Sequence, residues 1–365
     1  MQLNTVRIAL LAILFSNAAL SMDRYTTSKD QFIAQRARLI QLSGGFLVSR
    51  ALQVFAELRI ADHLKEGPHV IDDAFALQVG ADRTMLYRLL RMLAGHGIVQ
   101  QQEDNTFSLT PLGELIKSDH PATVANFLRM EDETRWRSYG NLLDTLKTGI
   151  PAFTSTFGEN YFDYIAKDAG LQQRFDDGMH DISSEENMFI AQSLNFKDAT
   201  TIVDVGGGTG GLLLALKQQY SSLGTTILFD YTNLTPEQHK LLKTQTITFV
   251  QGSFFDEQAI PAGKDIYILK RVLHDWDTAK CIRIVKRCRE AMAPNSKLYI
   301  IDALILAGNN YHVSKDIDLM MMTLFGGQER TQVEFEEILK AADMRLVATK
   351  PIESSMLSIL EARLA

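Results

Sequence analysis

The chain has 365 residues, a net charge of −7 and two cysteines, Cys281 and Cys288. A chain of this length fits about two domains. The acidic balance, without a long basic run, disfavours nucleic acid and anionic membrane surfaces as partners, so we expect a small-molecule partner. The spacing of the cysteines matches neither a disulfide framework nor a metal site. We therefore interpret them as core thiols and expect no metal.

Residues 1–22 form an apolar N-terminal segment. Arg7 precedes an apolar run at 8–15 and small residues follow it, as in a short secretory signal, and the run is too short to span a bilayer. The two-cysteine chain behind it is typical of a cytosolic protein. We favour a start codon placed too early, with Met22 as the true start, and expect a cytoplasmic protein. The alternatives are a signal for export and a buried N-terminal helix.

Residues 23–115 show the pattern of a winged helix, with helices followed by a hairpin. The helical and then strand-like runs lie at 30–64, 71–78, 82–94, 98–101 and 106–109. Winged helices commonly bind DNA, so a regulator is one hypothesis. The helix that follows its predicted cap, Asp82, is mostly apolar despite three arginines. Packing against another subunit is favoured, and we expect a homodimer through this domain, with no nucleic-acid or membrane partner.

Residues 116–195 are helical by pattern and rich in aromatic side chains. We interpret them as a helical linker that also supplies a wall of the substrate site. The stretch at 175–183, which contains Met179 and Ser183, mixes apolar and polar residues directly before the next domain.

Residues 196–365 alternate strand and helix patterns, which predicts a doubly wound α/β sheet. Within them, 201–211 has the pattern of a buried strand, a glycine-rich turn and a helix. Its glycines fit the dinucleotide pattern G-x-G-x-x-G, and together with the preceding aspartate they also fit D-x-G-x-G-x-G of S-adenosylmethionine (SAM) methyltransferases. The residues of the second pattern are Asp204, Gly206, Gly208 and Gly210. Taken alone, this stretch leaves both cofactors open.

Sites in such sheets lie beyond the carboxyl ends of the strands. The strand-like runs are 225–230, 246–250, 265–270 and 297–302. Their ends bring in Asp230, Ser253, Lys270, His274 and Asp302 as candidate site residues. An acid such as Asp230 can bind the ribose hydroxyls of either NAD or SAM, so it does not distinguish them.

His274 and Glu329 form the second candidate constellation. His274 follows a strand, and Glu329 stands just before a helix that Thr331 and Glu334 are predicted to start with a capping box. Either residue could be purely structural. The alternative is a pair in which Glu329 holds the His274 imidazole in one tautomer and stabilises its protonated form, as expected for a catalytic base.

From about residue 30 to the C-terminus, the chain resembles the SAM-dependent O-methyltransferases typified by plant caffeic acid, flavonoid and animal hydroxyindole enzymes and their bacterial relatives. Three blocks carry the resemblance: V-D-V-G-G-G-T-G at 203–210, L-H-D-W at 273–276 and G-G-Q-E-R-T at 326–331. The resemblance implies a mostly helical winged-helix dimerisation domain followed by a class I SAM-methyltransferase domain with a Rossmann-like doubly wound sheet. It also implies SAM as cofactor and an intertwined homodimer.

The resemblance also implies roles for single residues. His274 would be the base, flanked by Glu329 and Asp302. The residues expected on SAM are Gly206 and Gly208 at the methionine part, Asp230 at the ribose, Ser253 and Phe254 near the adenine, and Lys270 and Ser183. Met179 would line the acceptor pocket. The sequence departs from the family pattern at Ser253, where relatives often have an acid, at Asp302, where many have glutamate, and at Arg271, where plant members often have tryptophan.

The expected reaction is transfer of the SAM methyl group to a hydroxyl, most simply a phenol. The apolar run 320–325, with Met321 and Phe325, could line an aromatic-sized pocket, although methionines at helical spacing also form cores. Three alternatives stay open: an NAD-dependent oxidoreductase, a winged-helix regulator, and other SAM-dependent chemistry on the same fold. No residue names the acceptor.

Overall fold

The structure is a computed structural model that describes residues 29–194, 196, 201–220 and 223–365. The chain divides into two compact units between Arg129 and Met130. This division falls later in the chain than the boundary that we place after residue 115, and the greater part of our 116–195 segment belongs to the second unit. The predicted signal-like segment, 1–22, lies outside the described residues.

The first unit is mostly helical and carries a small antiparallel sheet. Its helices are α1 (Lys29–Ser43), α2 (Gly45–Glu57), α3 (Ile60–His63), α4 (Asp73–Val79), α5 (Arg83–Gly95), α6 (Pro111–Glu114) and α7 (Ala125–Met130), which crosses the boundary. Its strands are β1 (His69–Val70), β2 (Val99–Gln101) and β3 (Thr106–Leu109), in the order β1-β3-β2. Asp82 caps α5 by accepting a hydrogen bond from Met85 N (2.9 Å). The predicted order of helices and hairpin is confirmed.

The N-terminal helices of this unit expose a large apolar surface. α1 has no buried residue, and Phe32, Leu39 and Phe46 are 62%, 68% and 59% exposed. Among the described residues, 29–57 is the one helical stretch long and apolar enough to cross a membrane. Length and composition alone do not separate a spanning helix from one that packs against another chain.

The second unit is a seven-stranded α/β sheet. Its strands are β4 (Thr201–Val205), β5 (Thr225–Asp230), β6 (Ile247–Gln251), β7 (Ile266–Lys270), β8 (Lys297–Ala303), β9 (Met344–Pro351) and β10 (Leu357–Leu364). They follow the order β6-β5-β4-β7-β8-β10-β9. The first five are parallel, and β10 and β9 extend the sheet in antiparallel pairing. The predicted α/β sheet is confirmed, whereas β9 and β10 were not predicted.

The helices of the second unit precede these strands and connect them. They are α8 (Glu133–Gly140), α9 (Leu142–Thr148), α10 (Ala152–Phe157), α11 (Tyr161–Ile165), α12 (Ala169–Ser193), α13 (Gly211–Gln219), α14 (Pro236–Thr244), α15 (Thr278–Ala291), α16 (Val313–Leu324) and α17 (Gln332–Ala341). Cys281 and Cys288 of α15 are both free and fully buried, which confirms them as core thiols. The strand order reverses beside β4, where ligands of such sheets bind.

Candidate active site

The glycine-rich loop joins β4 to α13. Gly206, Gly208 and Gly210 have φ of +74°, +58° and +85°, values that L side chains rarely adopt. A Cβ at Gly206 would lie 2.9 Å from Val272 Cγ2, and one at Gly210 would lie 2.9 Å from Leu242 Cδ2. At Gly208 nothing lies within 4 Å of that position. Packing therefore requires two of the glycines, while the third leaves the backbone open to close approach by a ligand.

Asp204 lies under this loop with an unsatisfied carboxylate. The residue is 1% exposed, and neither carboxylate oxygen has a hydrogen-bond partner among the described residues. Burial raises the pKa of Asp204 to about 7, although the charge of Lys270 lowers it. A Cβ on Gly207 would overlap the Asp204 carboxylate, which therefore directly adjoins the loop backbone. A buried acceptor without a donor fits a ligand that brings a hydrogen bond or a positive charge.

The predicted residues Asp230, Ser253 and Phe254 lie at or just after the carboxyl ends of β5 and β6. Asp230 ends β5, and its carboxylate accepts hydrogen bonds from Gly208 N (2.8 Å) and Thr232 N (2.7 Å). Ser253 Oγ accepts from Phe255 N (3.1 Å), which fixes the turn after β6. The Phe254 ring reaches to 3.4 Å from the Cβ position of Gly206. The structure thus brings Asp230 and Phe254 to the glycine loop, and Ser253 directly precedes Phe254 in the chain.

Helix α12 supplies a second wall through residues that we did not predict. Lys270 Nζ donates to Asn187 Oδ1 (2.7 Å), and Arg271 donates to Glu186 through Nε (3.1 Å) and Nη2 (2.5 Å). Burial lowers the pKa of Lys270 to about 8, against the charge of Glu186. The spacing of Asn187 after Ser183 was the available signal, because residues four apart share a helix face.

Ser183 and Met179 precede Asn187 by one and two turns of α12, so the three residues lie along one side of this helix. Both Ser183 and Met179 are half-buried. This register places them on the face that Asn187 turns toward β7. The roles predicted for them, on SAM and on the acceptor, stay predictions.

His274 and Glu329 form a buried hydrogen bond at the end of β7. His274 belongs to the 3-10 turn Leu273–Asp275, and its Nδ1 lies 2.8 Å from Glu329 Oε1. Glu329 is 3% exposed, and its Oε2 has no partner among the described side chains and backbone. A carboxylate at Nδ1 selects the tautomer with its proton there, which leaves Nε2 as the proton acceptor.

Three carboxylates act on His274. Burial lowers the pKa of His274, but the charge of Asp275, the hydrogen bond that Nδ1 donates to Glu329 and the charge of Asp302 raise it to about 9. Asp275 Oδ1 lies 3.6 Å from Nε2. Asp302, near the end of β8, is fully buried with both oxygens unpartnered in the described structure, and burial raises its pKa. The imidazole therefore lies among three carboxyl groups, which favour its protonated form.

The segment before α17 binds the backbone on both sides of His274. Gln328 N donates to His274 O (2.8 Å). Arg330 is fully buried, and its guanidinium donates to Leu273 O (2.8 Å) and Trp276 O (2.6 Å). The predicted capping box of Thr331 and Glu334 is present and starts α17. These contacts explain why two sequence blocks far apart in the chain form one site.

The two predicted acceptor residues of the apolar run differ in exposure. Met321 is 2% exposed on α16, so its side chain contributes almost no surface. Phe325 is half-buried and stacks on Phe162, with ring centroids 5.4 Å apart and an interplanar angle of 27°. Their roles at the acceptor stay predictions.

Comparisons with known proteins identify the family of this chain. Residues 139–345 match the model of the O-methyltransferase domain. The chain belongs to the O-methyltransferase family. Residues 40–119 match the O-methyltransferase dimerisation domain, so the chain carries both parts of this architecture.

Individual members of the O-methyltransferase family match over nearly the whole chain. The phenazine O-methyltransferase of Lysobacter antibioticus is 34% identical, over 89% of this chain and 95% of that protein. The 8-amino-8-demethylriboflavin N,N-dimethyltransferase of Streptomyces davaonensis is 31% identical, over 89% and 94%. A solved O-methyltransferase from neocarzinostatin biosynthesis, in complex with SAM and 2-hydroxy-5-methyl naphthoic acid, has a TM-score of 0.74 and 31% identity, covering 87% of this chain and 96% of that one.

Proposed function

We propose that this protein transfers a methyl group from SAM to a hydroxyl group of a small aromatic molecule, with His274 as the general base. The observation that carries the proposal is the buried Nδ1–Oε1 hydrogen bond between His274 and Glu329, 2.8 Å long, at the strand ends beside the glycine loop. DNA binding has no use for this pair, and the match to the O-methyltransferase domain, with SAM bound in a solved relative, disfavours hydride transfer. The NAD-dependent and regulatory alternatives therefore explain less of the site.

The residues at the loop fit SAM. Asp204 offers a buried carboxylate without a donor, Gly208 leaves room for close approach, and Asp230 stands at the end of β5 where a ribose is bound in such sheets. Phe254 offers a flat apolar face for the adenine, and Lys270 offers a cation for the carboxylate. When bound, SAM supplies the electrophilic methyl group.

The protein has to place the acceptor oxygen and remove its proton. A phenol with a pKa near 10 is largely protonated at neutral pH. His274 Nε2 accepts the hydroxyl proton while Glu329 stabilises the resulting imidazolium through Nδ1. Because nearby carboxylates raise the pKa of His274 to about 9, the neutral imidazole that this role requires becomes more abundant as the pH rises toward 9. A general base of this kind increases the rate of the reaction by roughly 10²- to 10⁴-fold.

A second candidate keeps the cofactor and changes the acceptor atom. The relative from Streptomyces davaonensis is named for methylation of an amine. An aromatic amine is already neutral at pH 7 and needs no base before attack, so His274 would matter less. A hydroxyl remains our first choice because a phenol must lose its proton to attack, and a buried imidazole supported by a carboxylate can accept that proton.

We also propose a homodimer assembled through the first unit. The match to a dimerisation domain and the exposed apolar side chains of α1 and α2 support it. A cytoplasmic location stays a prediction.

The test is His274→Gln assayed with labelled SAM against a panel of phenols and aromatic amines. We expect SAM binding, measured by calorimetry, to change less than threefold while turnover on the accepted phenol falls by roughly 10²-fold or more. Wild-type turnover in this variant would remove His274 as the base. Turnover restricted to amines would favour the second candidate.

A further inference from the structure

Arg271 is held in an unusual backbone conformation directly after β7. Its φ is +52°, in the left-handed region that side chains other than glycine seldom adopt. Its backbone N–H still donates to Ile301 O of the neighbouring strand (3.0 Å). This conformation costs free energy and persists only because its surroundings impose it. It directs the Arg271 side chain toward α12.

On α12 the Arg271 guanidinium meets Glu186 in a two-point ion pair. The Nε–Oε2 and Nη2–Oε1 distances are 3.1 Å and 2.5 Å, and the two side chains are 9% and 11% exposed. Two-point pairing fixes the plane of the guanidinium as well as its position. The pair therefore joins the helix that carries Ser183 to the strand end that carries His274.

The charge of Arg271 also acts on the acids around His274. These acids come from three places: Asp275 from the same turn, Asp302 from β8 and Glu329 from the segment before α17. Burial works against the charge of Arg271, but Glu186 first, and then Glu329 and Asp302, raise the pKa of its guanidinium. Burial raises the pKa of Asp275 and of Asp302, and the charge of Arg271 offsets part of that rise.

More distant charges complete this surrounding. Lys270 Nζ lies 4.0 Å from Glu186 Oε2. Asp318 of α16 accepts a hydrogen bond from Glu329 N (2.9 Å), and Arg330 acts on Asp318.

We propose that Arg271 is a positioning residue of the methyl-transfer site. Paired with Glu186, it holds a fixed positive charge beside the carboxylates that surround His274, and it holds α12 at the end of β7. The inference rests on the proposed role of His274 as base. The fixed cation offsets part of the negative charge around the imidazole, and so keeps the neutral form of His274 accessible at a lower pH than three carboxylates alone would allow.

We expect substitutions of the two members of the pair to shift the pKa of His274 in opposite directions. Arg271→Met removes a positive charge near His274, so the pKa of His274 rises. Glu186→Gln removes the negative charge that balances Arg271, so the pKa of His274 falls. Loss of the mechanical link alone would move both variants in the same direction. Opposite signs therefore separate a charge effect from a packing effect.

The experiment is a titration of the His274 imidazole by NMR in ¹³C-histidine-labelled full-length protein. The chain has eight histidines, and the His274 resonance is identified by its loss in His274→Gln. We expect shifts of at least about half a pH unit, upward in Arg271→Met and downward in Glu186→Gln. Arg271→Lys, which keeps the charge, should stay close to wild type. Arg289→Met removes a surface cation paired with Asp343 and serves as the control for net charge.

Each result decides the matter. Shifts of the same sign in both variants, or no shift in Arg271→Met, would overturn the inference. The acidic limb of the turnover profile is recorded in parallel. If the NMR shifts are opposite but the acidic limb does not follow them, the role of Arg271 stands and His274 is not the base. If a variant fails to fold, the Lys variant and the double variant Arg271→Met with Glu186→Gln, whose two opposite charge effects should cancel only in part, supply the comparison.

Discussion

Gly327 lies directly against the backbone of His274, so that a Cβ on Gly327 would overlap the carbonyl oxygen of His274. Gln328 N then donates to that same oxygen (2.8 Å), and Glu329 follows with its bond to the imidazole. The glycine is therefore a spacing element: its lack of a side chain sets the distance between the two segments that form the acid-base centre.

Gly327→Ala should separate these segments and lengthen the His274–Glu329 contact. We expect turnover to fall by at least about tenfold, because a misplaced base loses much of its 10²- to 10⁴-fold contribution, while SAM binding changes little. Steady-state kinetics measure the turnover, and calorimetry measures the SAM affinity. Gly140→Ala is the matched control, since a Cβ there meets nothing within 4 Å. Equal losses in the two variants would contradict the prediction.

The raised pKa of His274 makes the stability of the protein depend on pH. Its folded value of about 9 exceeds the ordinary value of 6.5. The imidazolium therefore stabilises the fold fully below pH 6.5, and this contribution, on the order of 3 kcal/mol, is lost as the pH rises through 9. Urea unfolding of wild type and His274→Gln at pH 6 and pH 9.5 should give a difference that shrinks at the higher pH. A pH-independent difference would count against the assigned charge state.

Ionisation of Asp204 should destabilise the fold, whereas ionisation of a carboxylate in an ion pair stabilises it. Its pKa is raised from 3.8 to about 7, so the unpartnered carboxylate costs nothing below pH 3.8 and costs most above pH 7. Asp204→Asn should raise the melting temperature of the SAM-free protein at pH 8 and have little effect at pH 4.5.

The same variant should weaken SAM binding by about tenfold or more at pH 8, because the acceptor for the ligand loses its charge. Calorimetric titration at pH 8 measures it. A variant that is both less stable and unchanged in SAM affinity would show that Asp204 serves the fold alone.

Phe325 provides the direct test of the acceptor wall. It belongs to an aromatic cluster with Phe162, and the Arg135 guanidinium lies 5.9 Å from its ring centroid. Phe325→Ala should raise the KM for an aromatic acceptor about tenfold and leave the KM for SAM within twofold. Leu319→Ala, at a 47% exposed position of α16, is the control. Equal changes in both KM values would place Phe325 outside the acceptor site.

The exposed apolar face of the first unit predicts an assembly defect. Leu39→Ser combined with Phe46→Ser should shift the protein from dimer to monomer in sedimentation velocity at micromolar concentration. Leu77→Ser alters an 82% exposed leucine of the same unit and should leave the dimer intact. An unchanged dimer, or co-flotation of wild type with phosphatidylcholine vesicles, would assign this face to another partner.

Four of the parallel strands, β4, β5, β7 and β8, were predictable because each is a short, mostly buried apolar run followed by polar or glycine residues at its carboxyl end. Predicted and observed bounds coincide for β5 and differ by one residue for β8. The antiparallel strand β9 is an exposed edge with charged residues and ends at Pro351, so no apolar run marks it. β10 is mostly buried, and its apolar residues near the C-terminus were missed. The pairing of Glu186 with Arg271 depends on which side of α12 faces the sheet, and sequence spacing alone leaves that rotation undetermined.

The buried cysteines give this protein an internal reporter. Burial raises the pKa of Cys281 and Cys288 to about 12, so neither thiol reacts with alkylating reagents in the closed fold. The Cys281 thiol donates to Leu273 O, one residue before His274 (3.1 Å). Its labelling rate therefore measures how often the His274 turn opens, and the rate at Cys288 supplies the background of wider unfolding. The two native cysteines therefore allow opening of the His274 turn to be measured without an introduced label site.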